Sequence, residues 1–210
     1  MHVKYFIILP ALIALASCTN GTMSSNERFY QEVYKPRYGT IVVNPQEETK
    51  EEATEEVVEV AEVEPEVIKI RLQNPVYNAI KYLDYTEKEN RSELKELTGV
   101  DPVRIEWCAA FANAILEQSE IPSNKDHKYP LTARAFLQWG VAVEEPKIGD
   151  IVVFPRGNSS WQGHVGFYVK EQVIDGVLYY YILGGNQKNS VRVDLYRADR
   201  ALGIRRGSSI

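Results

Sequence analysis

From residue 74 onward the apolar positions follow two different periods. In the first half they recur at spacings of three and four. Val76, Ile80 and Leu83 predict a helix over 74–85, and 92–97 continues helically until Gly99 stops it. Beyond Cys108 the run Ala109, Ala110, Phe111, Ala112, Asn113, Ala114, Ile115, Leu116 is rich in helix formers. Trp107, Phe111 and Ala114/Ile115 share one face of it, which predicts a helix with Cys108 in its first turn. Ile121-Pro122-Ser123 breaks the chain, and Thr132 can cap a further helix running through Phe136 to Trp139, closed by Gly140. Then the period changes. Short runs over 151–154, 165–169, 177–183, 191–195 and 202–205, separated by Gly, Asp and Pro, read as strands. Helices followed by an antiparallel run of strands predict an α+β domain.

The amino-terminal third follows neither period. Lys4 precedes an apolar run over 5–16, too short to span a bilayer, which ends in Leu15-Ala16-Ser17-Cys18. This predicts a signal peptide over 1–17. Leu15 to Cys18 also resembles a bacterial lipobox, which implies cleavage before Cys18 and lipid on its sulfur and new amino terminus. The alternative is an ordinary secretory signal with an incidental cysteine. Residues 46–66 then carry ten Glu against one Lys and no aromatic side chain, a composition that repels itself and cannot bury a core. Residues 18–68 are therefore expected to be an anchored segment and disordered linker reaching on the order of 40 Å. The folded domain is expected over 69–210.

Charge follows this division. The acidic run contributes −9 of a total of −5, leaving +4 for the rest, and from Lys69 on 19 Lys plus Arg face 17 Asp plus Glu. No basic stripe favours nucleic acid. Of the two cysteines, Cys18 is expected to carry lipid, which leaves Cys108 unpaired in an exported chain and marks it as a reactive thiol. The amide groups and dipole at a helix start favour a thiolate there. A buried core cysteine is the alternative. His2 falls in the signal and His127 in a polar loop beside Lys125 and Asp126, so His164, opening a strand behind Gly163, is the well-placed base. Asn186, in Gly184-Gly185-Asn186-Gln187, can orient the imidazole, with Gln187 as substitute, although Gly-Gly-Asn also suits a tight turn. One usable histidine and no second cysteine give too few ligands for a metal hydrolase, so no metal or cofactor is expected.

Trp107-Cys108-Ala109-Ala110-Phe111, the lead-in over 146–154, Gln162-Gly163-His164-Val165-Gly166-Phe167 and Gly184-Gly185-Asn186-Gln187 resemble, in that order, the NlpC-type and CHAP-like cysteine peptidases and amidases of bacterial cell walls. The resemblance spans about 74–206. It implies a papain-like α+β fold with nucleophile Cys108, base His164 and orienting residue Asn186. It also implies peptidoglycan stem peptides as substrate. Such enzymes often carry a Glu just ahead of the Asn, where this chain has Gly184. Trp107, Trp161 and Gln162 are candidates to line the cleft, although as core aromatics the tryptophans need no function. The expected protein is an exported lipoprotein, held in the outer membrane through Cys18 and facing the periplasm, with a monomer as the simplest state. A silent wall-binding module and a thioester acyltransferase are the competing readings.

Overall fold

The structure is a computed structural model and describes residues 73–207. The signal peptide, Cys18 and the acidic run lie outside the described residues. Among the described residues three helices and a six-stranded antiparallel sheet form an α+β fold. The helices are α1 (Pro75–Ile80), α2 (Arg91–Thr98) and α3 (Cys108–Gln118). The strands are β1 (Val141–Ala142), β2 (Ile151–Pro155), β3 (Gly163–Ile174), β4 (Val177–Gln187), β5 (Ser190–Arg197) and β6 (Gly203–Arg206). They lie in the order β1-β6-β2-β3-β4-β5. Among the described residues no helix is long and apolar enough to cross a membrane.

Asn74 starts α1: its Oδ1 accepts from the Val76 N–H at 3.0 Å, with Pro75 in the first helical position. The helix predicted to residue 85 stops five residues earlier. Asp84 turns with φ 68°, and its N–H and the Tyr85 carbonyl bond the Val191 backbone at 2.8 Å each, so the sheet edge takes the backbone groups a longer helix would need. Gly99 ends α2 in the left-handed conformation its position predicts. Residues 133–138 form a 3-10 turn rather than an α-helix, and Thr132 gives it no side-chain cap; the Ala135 and Trp139 N–H groups each reach back three residues.

The sheet extends beyond the apolar runs that announced it. β3 continues through exposed residues 171–173 to an Asp175-Gly176 hairpin with φ 51° and 76°, the primed geometry that matches strand twist. Lys170, Glu171 and Gln172 there gave no apolar run to extend. The two-residue β1 was likewise invisible. Asp150, in the lead-in to β2, is structural: it accepts two bonds from Arg206 at 2.8 and 2.7 Å and one from the Lys147 N–H at 2.6 Å, pinning the turn to β6.

Helix α3 is buried from Cys108 to Leu116. On the sheet it meets Val165, Phe167, Val169, Tyr181 and Leu183, in one core with α1 and Leu94 of α2. The opposite face of the sheet buries Val152, Phe154, Tyr168, Tyr180 and Ile182, with Tyr196 against them. Period-two alternation along β3 therefore separates Val165, on the helix side, from His164 and Tyr168.

Candidate active site

Cys108 is the first residue of α3, as its spacing predicts, and only 3% of it is exposed. Glycine on the neighbouring strand makes this possible. A Cβ on Gly185 would stand 2.5 Å from Trp107 and 2.7 Å from Phe111, so only a residue without one lets the start of the helix lie against β4. Trp107 is fully buried in that contact. It packs edge-on against Phe111 with ring centroids 6.1 Å apart and reaches no open cleft.

The pairing of β3 with β4 runs from the hairpin to Phe167 and Leu183 with a register shift between Tyr168 and Lys170, and the register of β4 with β5 shifts between Gly184 and Gln187. The backbone N–H of Val165, next to His164 on β3, is near enough to the thiol to act on it. Burial pushes the thiol above its ordinary range, while the Val165 N–H, the Arg156 charge and the Ala109 N–H pull the other way. The sequence-based expectation of a favoured thiolate is thus reversed in the resting chain: desolvation outweighs the helix start.

His164 is buried and held on two sides. Its Nε2 lies 3.0 Å from Gln187 Oε1. Its ring stacks on Tyr196, with centroids 5.4 Å apart and planes at 9°, and Phe154 stacks on the same tyrosine at 4.6 Å. Burial pushes the imidazole down to about 4, opposed by the Gln187 bond.

The Gln187 amide cannot face either way. Its Nε2 donates to the carbonyls of Ile182, Gly184 and Arg192, which leaves Oε1 toward the histidine. An accepting oxygen requires Nε2 of His164 to carry the proton, and Nδ1 becomes the basic nitrogen. Gly184 explains why a glutamine serves here. A Cβ at that position would lie 3.5 Å from His164 Nε2, so a side chain at 184 would meet the same edge of the ring; with glycine there, Gln187 fills the place.

Asn186, the first candidate for that role, lies elsewhere. It has φ 57° in the β4 bulge, and its Nδ2 donates to Glu106 Oε2 at 2.6 Å. Arg156, at the start of the β2–β3 loop, also donates to Glu106 Oε2. The tight turn lies one step on, at Lys188 and Asn189, both with positive φ. Trp161 and Gln162 occupy the β2–β3 loop. Trp161 is 66% exposed, and the Gln162 carbonyl accepts from Arg134 Nε at 2.7 Å.

Tyr196, Glu106 and Arg156 carried no signal in the sequence: each sits among ordinary strand or loop residues and gains meaning only from the neighbours the fold supplies. An open groove of about 640 Å³, with Tyr82, Glu93, Glu96 and Glu117 among its walls, lies beside the last turns of α3, at the opposite end from Cys108. Among the described residues no three His, Cys, Asp or Glu side chains are grouped to hold a metal ion.

Residues 100–186, less than half of the chain, match the model of the CHAP domain family. This is the kind of family the motifs resemble, and it carries a general role as a peptidoglycan hydrolase or amidase. No curated protein and no solved structure matches the chain.

Proposed function

We propose that this CHAP-domain chain cuts an amide bond in peptidoglycan stem peptides by thiol catalysis, with Cys108 as nucleophile, His164 as base and Gln187 as the residue that orients it. The observation that carries the reading is a buried thiol at the start of α3, acted on by the Val165 N–H next to His164, while Nε2 of that histidine is held by an amide oxygen of fixed orientation.

In this mechanism Nδ1 of His164 takes the Cys108 proton as sulfur attacks the amide carbonyl. The charge that develops on the carbonyl oxygen falls near the helix start, where the Cys108 N–H is one donor. The imidazolium returns its proton to the departing amine, and water cleaves the thioester to restore the thiol. A neutral thiol and imidazole at rest suit this order, because the ion pair need form only when substrate is present. Asn186 is assigned to the cleft rim instead of the proton path. Export, lipid on Cys18 and a tether over 18–68 complete the reading, since an anchored domain on a long acidic linker can reach a polymer away from its membrane.

The buried thiol also favours a second reading, a silent wall-binding module that keeps the fold. Purified sacculi separate the two. Wild-type protein should release soluble muropeptides, and Cys108→Ala should release them at least about a hundredfold more slowly. Equal release by both proteins would remove the nucleophile, and binding without release by either would leave the module.

A further inference from the structure

Two donors from separate elements converge on one oxygen at the rim of the site. The Arg156 guanidinium, where β2 leaves the sheet, and the Asn186 amide, in the β4 bulge, both donate to Glu106 Oε2, two residues ahead of Cys108. A guanidinium beside an amide N–H pair is a receptor for a carboxylate. Here the chain fills it with its own glutamate. The filling is loose: the Glu106 side chain is 71% exposed and that of Arg156 is 43% exposed, so water screens the pair and competes for both partners. The receptor is also close to the chemistry, because the Arg156 charge acts on both Cys108 and His164.

We propose that Arg156 and Asn186 form a carboxylate-binding subsite of this active site, occupied at rest by Glu106 and taken over by a free carboxylate of the stem peptide beside the amide to be cut. The inference rests on the thiol-hydrolase reading for the identity of the substrate but not for the existence of the subsite. Displacing Glu106 unties the segment before α3 from the β2–β3 loop and the β4 bulge, two residues ahead of the buried Cys108. A carboxylate-bearing peptide thus aligns itself and opens the rim in one exchange. A peptide whose acid is amidated cannot compete with Glu106 for the guanidinium, so discrimination follows from charge rather than size.

Muropeptides with free stem carboxylates, and the same preparation with those carboxylates converted to amides, test this. Wild-type protein should show a KM roughly tenfold or more lower for the free acids, the worth of a charge-assisted contact. Arg156→Gln should raise KM for the acids and erase the preference. Glu106→Gln should lower KM for the acids by removing the competitor. Equal KM for both preparations with wild type, or an intact preference in Arg156→Gln, would overturn the subsite. Binding of both preparations to Cys108→Ala, read by calorimetry, separates the two claims. Acid-selective binding without turnover by wild type keeps the subsite and removes the hydrolase, whereas turnover without acid preference does the reverse.

Discussion

At the residue scale the site turns on which nitrogen of His164 holds the proton. Three backbone carbonyls fix the Gln187 amide, the amide oxygen fixes the proton on Nε2, and Tyr196 fixes the plane of the ring. Gln187→Ala removes the first two constraints and should lower kcat by about a hundredfold with little change in KM, whereas Asn186→Ala should act mainly on KM. Steady-state kinetics on soluble muropeptides decides between these assignments. The placement of Cys108 at a helix start and of His164 at a strand start was legible in the sequence from the change of apolar period around them. Which of Asn186 and Gln187 bonds the histidine was not, because the two are adjacent and equally polar. Only the bulge between Gly184 and Gln187 determines which of them faces β3. Tyr196 left no trace either, since a tyrosine at an alternating strand position looks like packing.

At the scale of elements, the contact that matters is the start of α3 against β4. Apolar periodicity predicted that helix with Cys108 in its first turn, because α3 is core from 108 to 116. It missed the ends of α1 and of β3, where hydrogen bonds to β5 and an exposed hairpin decide the boundary rather than burial. Gly185 is the residue that lets helix and strand touch. Gly185→Ala would drive a methyl group into Trp107 and Phe111, both fully buried and unable to yield. A loss of about 1–3 kcal/mol is expected, seen as a fall of several degrees in Tm, with activity falling further because α3 carries the thiol. An unchanged melting curve would show that the helix start is not seated there.

For the whole molecule, burying an uncharged histidine ties stability to acidity. The folded imidazole takes a proton only near pH 4, whereas the unfolded one does so near its ordinary 6.5. Between those values the unfolded chain binds a proton that the folded chain refuses. This contribution is therefore fully present above about pH 6.5 and is lost as pH falls toward 4, by on the order of 3 kcal/mol. Denaturant titrations across that window should show the loss, and His164→Gln should flatten it. A slope unaltered by the substitution would place the histidine in water.

The acidic run over 46–66, without an aromatic side chain, stands out by composition alone and lies outside the described residues. What the folded part does to its substrate is a matter of bonds, and digestion of sacculi in water enriched in oxygen-18, followed by mass spectrometry of the fragments, reads them directly. Thioester hydrolysis through Cys108 should leave one heavy oxygen in each new carboxyl group with wild type and no such fragments with Cys108→Ala. Labelled fragments of equal yield from both proteins, or fragments joined to an amine without label, would contradict hydrolysis by this thiol.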